Sequence, residues 1–139
     1  MPGLILEIIT PGRAAFKGDV LSVTVPGTEG SFQVLKNHAP LMSTFDIGTL
    51  KIVLPDNSEK IYATGGGTVE VLNNRVLVLA DSLEVLESID VERARKAKER
   101  AENRLANKTE TTDVQRAEVA LKRSINRLKL VEKHLRSEV

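Results

Sequence analysis

Four arginines carry the spacing in this chain best suited to chemistry. Arg93 and Arg100 are seven residues apart, and Arg123 and Arg127 are four apart. On helices these intervals are two turns and one turn, so each pair shares a face. Like charges one turn apart cost about 0.2–0.5 kcal/mol. Folding two such helices together could bring the pairs into one neighbourhood, which is unfavourable unless the guanidinium groups share an anion. Their planar fork matches phosphate oxygens two at a time, so the pattern suits a polyanion. The alternative is a solvated basic face, and spacing alone leaves both readings open. Asp90, where the first helix would begin, has two readings as well: an N-cap, or an acceptor for the amino group of a base.

No set of residues suited to making or breaking bonds accompanies them. The only histidines, His38 and His134, lack a metal-type spacing, and there is no cysteine. No serine sits in a G-x-S-x-G frame. Gly65-Gly66-Gly67-Thr68 lacks the lysine of a phosphate-binding loop and lies between strand-like runs, which suits a backbone bend or close packing. His38, within Asn37-His38-Ala39-Pro40-Leu41, reads as a turn residue. No catalytic residue, metal site or catalytic cofactor is expected.

The elements that would position the arginines follow from a division in composition. All nine glycines lie at or before Gly67, all five prolines at or before Pro55, and every aromatic at or before Tyr62. Residues 1–89 carry 6 Lys and Arg against 10 Asp and Glu; residues 90–139 carry 14 against 9. The whole-chain charge of +1 therefore hides a −4 half and a +5 half. Two domains are expected, over 1–86 and 87–139. The missing cysteines suit a reducing compartment. No apolar run reaches ~18 residues, and Met1 to Thr10 has neither a basic region nor a cleavage site, so neither a membrane span nor a secretory signal is expected.

The first half alternates in short runs rich in Val, Ile, Leu and Thr: Leu4–Ile9, Val20–Val25, Phe32–Leu35, Thr49–Leu54, Glu59–Thr64, Thr68–Leu72 and Arg75–Ala80. Pro11-Gly12, Pro26-Gly27, Pro55-Asp56-Asn57-Ser58 and Asn73-Asn74 separate them. Asparagine tolerates positive φ, so Asn73-Asn74 predicts a two-residue hairpin. Together the runs predict an antiparallel β-sandwich or flattened barrel.

The second half has no glycine or proline. A helix is predicted from about Asp90 to Ala106, with Ala94, Ala97, Ala101 and Leu105 on one stripe. After the polar segment 107–112, a second is predicted from about Asp113 to Arg136, with Val114, Ala117, Leu121, Leu128, Val131 and Leu135 on its apolar face. The fold class is therefore α+β, a sandwich followed by an antiparallel helical hairpin. A buried leucine contributes about 1.5–3 kcal/mol and a methyl about 0.8, so an alanine seam holds such a hairpin weakly. A static surface hairpin and a switch both fit. A nucleic-acid adaptor fits less well, because acids interleave with the basic residues and the two helices carry no aromatic side chain for stacking.

Several stretches resemble the epsilon subunit of F-type ATP synthases. They are Thr10-Pro11, Glu29-Gly30, Asn37-His38-Ala39-Pro40-Leu41, and Gly65-Gly66-Gly67 followed by Val69-Glu70-Val71. Ile89-Asp90-Val91-Glu92-Arg93-Ala94 matches the I/L-D-x-x-R-A pattern of ATP-binding members, and Arg116 to Leu128 is similar to their second helix. Lys36-Asn37 stands where the family often has Pro-Gly, and Thr68 where an aromatic often follows the glycines.

The resemblance implies a non-catalytic subunit of the rotor stalk, at the cytoplasmic face of a bacterial inner membrane and attached only through the complex. It implies that the sandwich contacts the gamma subunit and the c-ring and helps couple proton flow to ATP synthesis. The His38 loop would face the c-ring or gamma. The hairpin would inhibit ATP hydrolysis when extended into the alpha/beta head, and fold back on binding ATP. By matched position Ile89, Asp90 and Ala94 would surround adenine, Arg93, Arg100, Arg123 and Arg127 would meet the phosphates, and Glu84 is a further contact. A purely structural role in the stalk, without nucleotide, is the alternative.

Overall fold

The computed structural model describes the backbone of residues 3–137 and the side chains of residues 3–134. Two compact units divide it, Met1–Val85 and Leu86–Val139. The first is built from β1 (Leu4–Thr10), β2 (Arg13–Val20), β3 (Ser22–Val25), β4 (Phe32–Leu35), β5 (Leu41–Val53), β6 (Glu59–Leu72), β7 (Arg75–Ala80) and β8 (Leu83–Val85). Strand order is β2-β1-β7-β6-β5-β3-β4, with β8 also on β6. Every pairing is antiparallel except β1 with β7, which run parallel. That pair is a departure from the wholly antiparallel expectation.

Alternation turns Leu4, Leu6 and Ile8 of β1 inward, where they meet Val23, Val25, Leu50, Ile52, Val69, Val71, Val76 and Val78 in one core. Phe45 and Tyr62 are its buried aromatics, so branched aliphatic side chains fill most of the space.

Three strand expectations need correction. Residues 13–20 form a strand that their composition does not suggest, because β2 is an edge strand pairing only with β1 and much of it is exposed or half-exposed. β5 begins at Leu41, well before Thr49, carried through polar Ser43, Thr44 and Asp46 by its long pairing with β6. The runs expected at Glu59–Thr64 and Thr68–Leu72 are one strand. Gly65-Gly66-Gly67 passes through it because the backbone there adopts conformations and close approaches that a side chain would block. Gly66 has φ +97°, and a Cβ on Gly67 would collide with the Leu79 carbonyl oxygen of β7.

The turns follow the asparagine chemistry. Asn73 and Asn74 take φ 49° and 61°, the pair of positive values that a type I′ hairpin requires. In the β5–β6 turn, Asp56 accepts hydrogen bonds from Ser58 Oγ at 2.5 Å and Ser58 N at 2.9 Å, which hold its carboxyl below the usual range.

The second unit opens with a 3-10 turn (Leu86–Ser88), followed by α1 (Val91–Ala106) and α2 (Val114–Ser137). The two helices pack against each other. Buried positions are Ala94 and Ala101 on α1, and Ala117, Ser124 and Leu130 on α2. Ser124 and Leu130 are additions to the expected stripe, while Leu128 is only half-buried. Ser124 is tolerated because its hydroxyl donates to the Ala120 carbonyl at 2.9 Å, one turn back. Leu135 lies outside the described side chains.

Candidate functional site: the arginine face of the helical hairpin

Both helices begin on an aspartate. Asp90 Oδ1 accepts from Arg93 N at 3.1 Å, and Asp113 Oδ1 accepts from Arg116 N at 2.9 Å. The N-cap reading of Asp90 therefore holds, and it occupies one carboxylate oxygen, leaving the second to accept from elsewhere. Removing such a cap costs about 0.5–2 kcal/mol. Asp90→Ala should thus lower the unfolding free energy of the helical unit by about 1 kcal/mol, read as a shift in the urea midpoint followed by helical circular dichroism. An unchanged midpoint would show that the cap contributes nothing.

Around this cap the candidate residues have distinct settings. Ile89 is half-buried, and its amide donates to the Leu86 carbonyl at 3.2 Å. Ala94 is buried, and its amide donates to the Asp90 carbonyl at 2.9 Å. Glu84 lies in the first unit, half-buried in β8 opposite Ala63.

The helices run in opposite directions about the connector 107–113, so residues equally far from it lie at one level. Arg93 stands level with Arg127, and Arg123 falls between the levels of Arg93 and Arg100. Arg93 and Arg100 are exposed and pair with no described carboxylate, whereas Arg95 is held by Glu92 at 2.7 Å. Arg127 is half-buried and has an interaction partner.

Arg123 differs from all of these. It is half-buried, and its Nε is shut off from solvent without a hydrogen-bond partner. Among the described residues it is the one buried side-chain nitrogen or oxygen left so. A buried donor without an acceptor costs about 1–3 kcal/mol, more where the group is charged. Spacing marked Arg123 as a candidate; its burial depends on packing and could not be read from spacing.

A second locus lies on the first unit. Asn37 takes φ 68°, and its amide donates to Asn74 Oδ1 at 2.6 Å, while Asn74 Nδ2 reaches Asn37 Oδ1 at 3.4 Å. His38, next along, has its amide on the Leu35 carbonyl at 3.2 Å and Nδ1 at 2.6 Å from the Ala39 carbonyl. Asn74 was missed as anything beyond a turn residue; two asparagine-bearing turns were the available signal. Nearby, a shallow depression over β1, β2, β6 and β7 is lined by Glu7 and Glu70 together with Lys17 and Arg75, a balanced set that selects no anion. Among the described residues no helix is long and apolar enough to cross a membrane.

Comparison with known proteins agrees with this architecture. Residues 4–85 match the family described as ATP synthase, Delta/Epsilon chain, beta-sandwich domain, and residues 87–132 the long alpha-helix domain of the same chain. The ATP synthase epsilon chain of Pelotomaculum thermopropionicum is 51% identical over 104 residues, spanning 75% of this chain and 77% of its own. That of Salinibacter ruber is 43% identical over 110 residues, spanning 73% and 74%. Among solved structures, a chain of the Euglena gracilis mitochondrial ATP synthase (OSCP/F1/c-ring) superposes with a TM-score of 0.81 at 23% identity, over 97% of this chain and 82% of that one. That last likeness is one of fold. Matched across both units and close in sequence to curated relatives, the chain belongs to the delta/epsilon family of ATP synthase subunits, among its epsilon chains.

Proposed function

We propose that this chain senses ATP within the rotary stalk, its helical hairpin restraining ATP hydrolysis when extended and folding back when nucleotide binds. Family membership makes it a non-catalytic subunit of the ATP synthase central stalk. The finer reading assigns the first unit to docking on the gamma subunit and the c-ring, where it helps couple proton flow to ATP synthesis. It assigns the extended hairpin to the alpha/beta head. The complex would hold the chain, as a peripheral subunit, at the cytoplasmic face of a bacterial inner membrane.

The observation that carries the sensing role is the orphaned Nε of Arg123. A phosphate oxygen would supply the acceptor this donor lacks once the Arg123 side chain turns outward to meet it, and Arg93, Arg100 and Arg127 lie at neighbouring levels of the hairpin to share the charge. Ile89, the free oxygen of Asp90 and the small side chain of Ala94 would receive adenine, with Glu84 a further contact. A purely structural stalk subunit is the competing reading, and the exposure of Arg93 and Arg100 favours it.

Calorimetric titration of the full chain with ATP, with and without magnesium, separates them. Saturable heat is expected at or below millimolar nucleotide. Its absence would leave the structural reading. Retardation of duplex DNA that falls with salt, without ATP binding, would point instead to a nucleic-acid adaptor.

A further inference from the structure

The three most exposed large apolar side chains among the described residues are Met42, Leu35 and Leu72, at 76%, 52% and 47% of full exposure. Leu35 ends β4 two residues before Asn37, and Leu72 ends β6 two residues before Asn74. Met42 follows the other end of the His38 loop, and the β5–β6 register sets it opposite Glu70, two residues from Leu72. Residues far apart in sequence thus converge on two turns, and those turns are tied by the bond from Asn37 N to Asn74 Oδ1 at 2.6 Å.

Asn37 does two things at this point. Its φ of 68° is one that glycine adopts freely and asparagine tolerates, so the turn closes as it would on glycine. Its side-chain oxygen, which glycine lacks, then meets Asn74 Nδ2 at 3.4 Å. A two-residue hairpin turn alone leaves the neighbouring loop unrestrained; here one side chain of the hairpin holds that loop.

We propose that Asn74 is a positioning residue that clasps the His38 loop to the β6–β7 turn, presetting Leu35, Met42 and Leu72 for docking on the stalk. This rests on the docking role assigned above to the first unit. A loop populated in its docking conformation for only a fraction of the time weakens apparent affinity by that fraction, and a clasp removes the loss.

The discriminating variant is Asn74→Gly. Asn-Gly is the favoured pair for a type I′ turn, so the hairpin is kept while the Oδ1 acceptor is lost. In the full chain the melting temperature should hold, and exchange of the Asn37 amide should quicken about tenfold. Affinity for a stalk depleted of this chain should fall about three- to tenfold. Asn74→Asp keeps an acceptor oxygen and should restore both readouts.

Unchanged exchange in Asn74→Gly would overturn the clasp. Faster exchange with unchanged affinity would overturn the positioning role. If the unsubstituted chain does not bind the stalk while exchange responds as described, the docking reading falls and takes the positioning role with it.

Discussion

Gly67→Ala is expected to destabilise the first unit by about 3 kcal/mol or more, lowering its melting temperature by roughly 12–24 °C. The added methyl points at the backbone of β7: the Leu79 carbonyl oxygen lies within collision distance, and Ala80 Cα and the Leu79 carbonyl carbon lie 3.0 Å away. None of these atoms belongs to a side chain that could rotate aside. Gly67 is paired with Ala80 in the register, so relief requires β6 and β7 to separate where both hold core residues. Its φ of +156° adds backbone strain for any other residue.

Overpacking of this kind costs about 1–3 kcal/mol and sometimes more, and strained backbone a further 1–3. Domains of this size have about 5–15 in all. Gly18→Ala is the control. Its Cβ meets only the Phe16 ring, at 3.7 Å, so stability should stay within about 1 kcal/mol of the original. Thermal unfolding followed on core resonances of the first unit checks both. Equal melting temperatures for the two variants would mean that β7 yields and that the glycine triad is not required by packing.

The same triad shows where local reading of the sequence stops. Close packing is what the glycines suit, but the strand that approaches them, β7, comes from residues a dozen positions away, so the local pattern splits β6 at the triad. β2 was invisible for a related reason. Ala14, Ala15 and Gly18 on an edge strand leave little apolar alternation to detect. Signals confined to neighbouring residues were legible: Asn73-Asn74 made its turn, and the helices ran close to their expected limits. The one parallel pair, β1 with β7, joins strands separated by most of the unit, and no local signal encodes it.

The proposed binding face divides in the same way. Arginine spacing is a local property and was read directly. Lys36-Asn37 stands where the family often has Pro-Gly, and sequence alone does not say how the turn closes without the glycine. In the structure Asn37 adopts the glycine-like conformation and adds a bond that glycine cannot make. The orphaned nitrogen of Arg123 is the opposite case, since its lack of a partner arises only when the chain packs.

Arg123→Met separates folding from ligand binding more sharply than any other substitution in the hairpin. Methionine keeps an unbranched chain of similar reach and removes the partnerless N–H, so the ligand-free helical unit should be as stable as the original or slightly more so. ATP binding should move the other way. A hydrogen bond to a charged group contributes about 1.5–3 kcal/mol, so affinity should fall roughly 10- to 100-fold. Arg123→Lys, which keeps charge but loses the fork, should fall between.

For the unsubstituted chain at one hundred times its dissociation constant, ATP adds about 2.7 kcal/mol to whichever state binds it. Reversing a two-state equilibrium from 1:99 to 99:1 needs about 5.5 kcal/mol. ATP at that excess therefore biases the hairpin strongly and completes the reversal only if the two forms are already near balance. An alanine seam makes such a balance attainable, and ATP should slow tryptic cleavage within α1 and α2. Calorimetry with ATP and proteolysis with and without it read the two halves of the prediction on one preparation. A variant that loses stability yet binds ATP as tightly as the original would make Arg123 a packing residue, and the sensing role would lose the observation that carries it.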